Sequence, residues 1–177
     1  MQFCRFEALR SNGGDTVAAV KNELARLTRE GFIHPADAER VRVEELAAFA
    51  ESELLSRILN AKRVFREFRF NAMLPASLFS VENPERYGEL EVFTQGVIDL
   101  LLENEDGSLC LCDYKTDRLE RAMLQNEAEA QKFFSSRHGT QLFYYARAIE
   151  RIFGKCPSRI EIFSLHAGKS FEITPIL

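Results

Sequence analysis

The sequence predicts a mixed α/β domain led in by a helical segment, on three observations. Apolar residues recur at spacings of three and four between Val17 and Leu59. Two apolar runs, GVIDLLL (Gly96 to Leu102) and LCLCDYK (Leu109 to Lys115), flank NEDGS, whose Asp106-Gly107 is a strong hairpin signal. Helical periodicity then returns, followed by a closing pair of strands.

Each element has a local reason. SNGGD at 11–15 is a cluster of breakers, so the first sixteen residues are expected to be poorly ordered. From Thr16 to Glu30, Val17, Val20, Leu24 and Leu27 mark one helix face, and Gly31 suits its end. Pro35 fits the first turn of a second helix. Val43 to Ala61 reads as one further helix, with Leu46, Phe49, Leu54, Ile58 and Leu59 on its core face. RVFREFRF, from Arg63, alternates and reads as a strand; a loop region with Pro75 and Pro84 follows, its acidic run Glu82 to Glu91 a solvated loop. After the central hairpin, Arg118 to Phe134 and Thr140 to Phe153 read as two helices, the second ended by Gly154. Ser158 to Leu165 and Lys169 to Ile176 form a hairpin around Ala167-Gly168. The expected division is a loose segment at 1–16 and a single domain at 17–177, helical over 17–62 and α/β over 63–177.

At 177 residues the chain is long enough for one real core, and 46% apolar with 28% charged residues places it among soluble globular proteins. No apolar run reaches bilayer-spanning length, and the first residues lack the pattern of a secretory signal. The expectation is a cytoplasmic protein with no membrane partner. Four cysteines form no CxxC pair, which argues against a zinc or iron–sulfur site. Cys110 and Cys112 lie two apart in a strand and read as small buried residues on one face. The net charge of −4 counts against a stand-alone protein that holds DNA by phosphate contacts. It leaves room for an enzyme whose DNA is delivered by another part or chain.

The chemistry concentrates in the central hairpin. With a three-residue loop of Glu105, Asp106 and Gly107, Asn104 pairs with Ser108 and Asp99 falls opposite Asp113. Lys115 shares the face of Asp113. Two carboxylates about 5 Å apart repel by roughly 3 kcal/mol at an effective dielectric of about 20. A divalent cation compensates, and two carboxylates with waters and phosphate make a set that magnesium prefers. Such an ion lowers the pKa of a bound water and stabilises charge on phosphorus, while Lys115 orients the water or shields the transition state. Asp99, Asp113 and Lys115 together read as a phosphodiester hydrolysis site. Against this stands a plainer reading: a turn aspartate and a surface Asp113–Lys115 pair. A two-residue loop would also shift the register and leave the acids diagonal.

GVIDLLLENEDGSLCLCDYKTD resembles the nuclease motif of the RecB-like branch of the PD-(D/E)XK superfamily, as found in the C-terminal nuclease domain of AddA-type helicase–nuclease subunits. AKRVFREFRF is similar to that family's "RE-x-P-F" strand, with Arg69 where proline is usual. Leu27 to Phe49 is similar to its "L-x-x-x-G-x-I" region, and Gln141-Leu142 with Tyr145 matches its "Q-L-x-x-Y" helix; the resemblance spans about residues 17–150.

The resemblance implies a restriction-endonuclease-like mixed sheet flanked by helices. It implies Asp99 and Asp113 as metal ligands, joined by the main-chain carbonyl of Tyr114, and Lys115 as the catalytic lysine. Gln141 and Tyr145 would support the site or touch the DNA backbone, and Glu67 would play a structural or supporting part. The metal would be Mg²⁺, with Mn²⁺ as a substitute. The implied function is a metal-dependent (exo)deoxyribonuclease domain of a helicase–nuclease that acts in double-strand break repair and recombination. Its implied partners are single-stranded DNA, helicase motor domains and a second nuclease subunit.

The missing upstream histidine region and the acidic net charge motivate an alternative, a weak or inactive nuclease-fold module that holds DNA or docks a protein. His138 stands where the family has tyrosine, and no G-T-x-x-H motif precedes the region, so the chain is a fragment or its site is incomplete. No GxxxxGK[ST] loop exists, so ATP hydrolysis by that route falls to another part. His34 reads as a cap or surface residue and His166 as a turn residue. Thr116 is expected to bond the strand end, and Tyr145 is the aromatic of its cluster expected to matter for function.

Overall fold

Alternation along the strands determines the layers. The computed structural model describes residues 3–10, 14–79 and 89–175. Five strands, β1 (Arg63–Pro75), β2 (Glu91–Glu103), β3 (Leu109–Lys115), β4 (Arg159–Ser164) and β5 (Lys169–Glu172), form one sheet in the order β1-β2-β3-β4-β5. The β3–β4 pair is parallel and the others are antiparallel. The β3-to-β4 crossover carries α6 (Arg121–Gln125) and α7 (Glu127–Phe153), as a parallel pair requires.

Leu100, Leu102, Cys110, Cys112 and Phe163 point to one face. There they meet α1 (Phe6–Leu9), α2 (Thr16–Arg29), α4 (Val43–Glu51) and α5 (Glu53–Asn60), chiefly through Phe49, Leu54, Leu55 and Ile58. Leu101, Leu109, Leu111 and Ile162 point to the other face and meet Phe134, Leu142 and Ile149 of α7. The result is a helix–sheet–helix sandwich with the expected mixed sheet. Cys110 and Cys112 are buried on one face, as their spacing implies. Among the described residues no helix is long and apolar enough to cross a membrane.

Several local expectations hold. Gly31 and Gly154 take positive φ at helix ends, and Asp15, read from the sequence only as part of a breaker cluster, caps α2 by accepting from the Ala18 N–H at 2.9 Å. His34 caps the short α3 (Pro35–Ala38) through Nδ1.

Others need correction. The segment Val43 to Ala61 is two helices, because Ser52 is extended and its hydroxyl accepts from the Leu55 N–H at 3.2 Å, starting α5 anew. Conversely, residues 127–153 form one helix where two were expected, and only Arg121–Gln125 is helical before it. Ser135, Ser136 and Gly139 are poor helix formers, but burial of Phe134, Gly139 and Leu142 against the sheet outweighs their propensity. β2 starts at Glu91 rather than Gly96, because β1 runs on to Pro75 and supplies partners as far as the Pro75–Glu91 pair. The expected disorder of the first sixteen residues does not extend to Phe6–Leu9. Phe6 and Leu9 are buried, and Arg5 N–H donates to Glu23 at 2.7 Å. Residues 11–13, Pro84 and most of the acidic run, and Ile176 lie outside the described residues.

Candidate active site

The β2–β3 hairpin closes as its turn chemistry requires. Gly107 is left-handed with φ 79°, its N–H reaches the Asn104 carbonyl at 2.9 Å, and Asn104 N–H reaches the Ser108 carbonyl at 2.9 Å. The Asp106 carboxylate accepts from Ser108 N–H and its hydroxyl at 2.8 and 2.7 Å. This is the three-residue loop, and the ladder continues in that register to the Leu100–Cys112 pair. One step further the main-chain ladder stops. There the Asp99 carboxylate accepts from the Tyr114 N–H at 2.9 Å, occupying the gap between the strands.

The interruption has a counterpart in β1. Pairing of β1 with β2 omits Glu67 and Asp99 while keeping register on both sides, Arg66 with Leu100 and Phe68 with Ile98. Glu67 has φ 51°, the single non-glycine positive φ among the described residues. Phe65 and Phe68, three apart, both contact Phe153 of α7 at 5.8 Å, which a regular strand forbids. In β2, Ile98 and Leu101 likewise share one face. Both strands therefore change step together where Asp99 meets β3. A left-handed non-glycine residue costs about 1–2 kcal/mol, a local strain of the kind that clusters at functional sites.

Asp113 is 3% exposed. Burial pushes its carboxyl above the ordinary value, the hydrogen bond and charge of Lys115 pull it down, and the Asp99 charge raises it again; the net shift is upward. Lys115 makes an ion pair with Asp113 Oδ2. The Lys115 ammonium also donates to Gln141 Oε1 at 3.2 Å, and Gln141 Nε2 donates to the Tyr145 hydroxyl at 2.9 Å. Asp113, Lys115, Gln141 and Tyr145 thus form one connected line between β3 and α7.

Tyr145 packs edge-on against Phe70 at 5.6 Å. A side chain at Gly96 would come within 2.7 Å of the Phe70 ring and 3.1 Å of Tyr145, which explains the glycine of G-x-I-D. Tyr114 directs its N–H toward Asp99, and its carbonyl projects to the same side, as in a residue that exchanges both bonds with an antiparallel partner. Its ring turns to the helical layer against Phe49.

Glu67 lies apart from this line. It borders an apolar cavity of about 400 Å³ under α2 and α4, with Cys4, Leu46 and Phe49. Thr116 is exposed. Asp117 holds Arg137 at 3.0 Å and His138 at 3.2 Å. This places His138 one helical turn before Gln141, and burial and the Lys115 charge lower its pKa. His166 sits in the β4–β5 turn and accepts from Leu119 N–H at 3.1 Å. No group of three or more His, Cys, Asp or Glu side chains is gathered for a metal among the described residues. What the hairpin assembles is two carboxylates, a main-chain carbonyl and an ammonium.

The sequence profile of the PD-(D/E)XK nuclease superfamily matches residues 2–172. The chain belongs to the PD-(D/E)XK nuclease superfamily. Its five-stranded mixed sheet between helical layers is consistent with the PD-(D/E)XK nuclease fold. The chain is similar to the AddA polypeptides of the ATP-dependent helicase/nuclease from Bacillus cytotoxicus (34% identical), Bacillus mycoides (33%) and Bacillus anthracis (33%), each over 136 residues. These alignments cover 77% of this chain and 11% of each relative, so the PD-(D/E)XK chain matches about a ninth of their length.

Proposed function

We propose that this PD-(D/E)XK domain hydrolyses phosphodiester bonds of DNA, acting on single strands. It works with a divalent cation, Mg²⁺ or Mn²⁺, held by Asp99, Asp113 and the Tyr114 carbonyl. The observation that carries this reading is the buried Asp113 carboxylate, shared between Lys115 and the neighbourhood of Asp99. An oxygen donor set with a charge that burial disfavours fits a hard cation, which takes one or two carboxylates and leaves positions for water and phosphate. Bound there, the ion supplies Lewis-acid polarisation of the scissile phosphate.

The chain's own residues do the rest. Asp113 and Gln141 hold the Lys115 ammonium so that it orients the attacking water and stabilises the charge that develops on phosphorus. Tyr145 fixes Gln141 from the other side. We also infer that residues 17–177 work as one unit, since α2, α4 and α5 cover the sheet face behind the site. The similarity to helicase/nuclease polypeptides supports a place in a cytoplasmic helicase–nuclease, with motor domains and a second nuclease subunit, in double-strand break repair and recombination.

The test is a titration of Mg²⁺ and Mn²⁺ into wild-type and Asp113→Ala protein with labelled single-stranded DNA. Metal-dependent cleavage that disappears in the variant supports the reading. A folded wild type that binds neither metal would sink it. A second reading, a DNA-holding or docking module, is favoured by one observation: no group of three or more His, Cys, Asp or Glu side chains is gathered among the described residues. Metal-dependent cleavage abolished by Lys115→Ala would eliminate that alternative.

A further inference from the structure

Two aromatic rings lie stacked where the end of β1 meets α7. Phe79 follows a single 3₁₀ turn (Ala76–Leu78) at the end of β1, and Tyr144 projects from α7. Their ring centroids are 4.6 Å apart and their planes differ by 5°. The Tyr144 hydroxyl donates to the Leu78 carbonyl at 3.1 Å, which fixes its ring beneath Phe79. Phe79 is still 39% exposed, so the stacked pair is partly open to solvent. Tyr144 is three residues from Gln141, the partner of Lys115, and such helix positions have Cβ atoms about 5–6 Å apart.

The same flank of α7 carries Phe133 and Arg137, eleven and seven residues before Tyr144, which brings all three to one side of the helix. The Arg137 guanidinium lies 5.9 Å from the Phe133 ring centre, and its side chain is mostly exposed while it pairs with Asp117. Flat rings interspersed with a cation, in a row past Lys115, match the chemistry of a single-stranded nucleic acid, in which each base offers a π-face. Charge favours this mode as well. With 27 acidic against 23 basic residues, phosphate contacts alone give the chain little hold on a polyanion.

We propose that the Phe79–Tyr144 stack is a base-stacking platform that receives an unpaired base of the strand whose backbone reaches Lys115. This rests on the nuclease reading and adds to it a specific subsite and a substrate requirement: the DNA must present a free base there. Duplex DNA, whose bases are stacked on one another, leaves the platform empty.

The test compares fluorescein-labelled oligodeoxythymidylate with a strand of the same length built of abasic sites. Binding is followed by anisotropy in EDTA, and cleavage of both strands is followed in Mg²⁺. Wild type is expected to bind the base-bearing strand at least about fivefold more tightly, the lower range of base–aromatic stacking. Phe79→Leu keeps apolar bulk without a flat ring and is expected to lose that preference, while Phe79→Trp keeps it. Equal binding of the two strands by wild type, no binding of either, or a preference that survives in Phe79→Leu would overturn the platform. Metal-dependent cleavage accompanied by equal binding would remove the platform and leave the nuclease. A base preference that is lost in Phe79→Leu, without cleavage by any variant, would support the platform and remove the nuclease.

Discussion

Replacing Asp113 by the isosteric asparagine should stabilise the metal-free protein at neutral pH, although it breaks an ion pair. The carboxylate is 3% exposed, and burial is the largest influence on it, followed by the opposing hydrogen bond and charge of Lys115 and then the Asp99 charge. Holding an ion in such a place costs several kcal/mol. Repulsion from a carboxylate about 5 Å away adds roughly 3 kcal/mol, and attraction to an ammonium at about 4 Å returns about 4 kcal/mol, both at an effective dielectric of about 20. The amide removes all three, for a net gain of order 1 kcal/mol or more, since Lys115 keeps Gln141. Each kcal/mol moves the melting temperature by about 2–4 °C at this chain length.

The pH dependence has a definite sign. A carboxyl whose folded pKa lies above its unfolded value favours the native state fully below that unfolded value, about pH 3.9, and this contribution is lost as pH rises through the folded pKa. The advantage of Asp113→Asn should therefore be larger at pH 7 than in acid and shrink as the pH falls toward about 4. Melts in EDTA across this range measure it. Mn²⁺ should then raise the melting temperature of wild type and leave that of the variant unchanged. A variant that melts below wild type at pH 7 without metal, or a gap that persists undiminished into acid, would refute the reasoning.

Other substitutions test the frame around the site. Gly96→Ala should cost about 1–3 kcal/mol in thermal melts and weaken cleavage, because its methyl group would meet the buried Phe70 ring at 2.7 Å and press on Tyr145; an unaltered melt would contradict the packing described. Arg57→Ala should cost about 3–5 kcal/mol in urea unfolding, since it strips from the wholly buried Glu161 a guanidinium whose Nη2 donates to both carboxylate oxygens, at 2.6 and 2.8 Å, and leaves Arg159 and the Cys110 thiol as its partners. Glu67→Gly should raise stability by about 1 kcal/mol by removing the left-handed penalty at φ 51°. A destabilised glycine variant would mean that contacts of the Glu67 side chain outweigh its strain.

The hairpin was legible in the sequence because local chemistry specifies it. Asp106 and Gly107 choose the turn, the turn sets the register, and the register puts Lys115 beside Asp113. The change of step at Glu67 and Asp99 was not legible, because RVFREFRF alternates like any strand and neither residue is a glycine. It is imposed by Phe153 of α7, which draws in both Phe65 and Phe68. The unbroken α7 was hidden for a related reason: Ser135, Ser136 and Gly139 look like a stop until the sheet beneath them is known. The contact of His138 with Asp117 joins residues 21 apart and has no local signature. Phe6 and Leu9 looked like part of a loose leader, yet they pack under α2 and α4.

The most direct test of the central claim compares Asp113→Ala and Lys115→Ala with wild type, using calorimetric Mn²⁺ binding together with cleavage of labelled single-stranded DNA. If the acid holds the ion and the lysine acts on the reacting phosphate, Asp113→Ala loses both binding and cleavage, while Lys115→Ala keeps binding and loses cleavage. Cleavage that survives in Lys115→Ala, or Mn²⁺ binding that survives unchanged in Asp113→Ala, would contradict the assignment of the site.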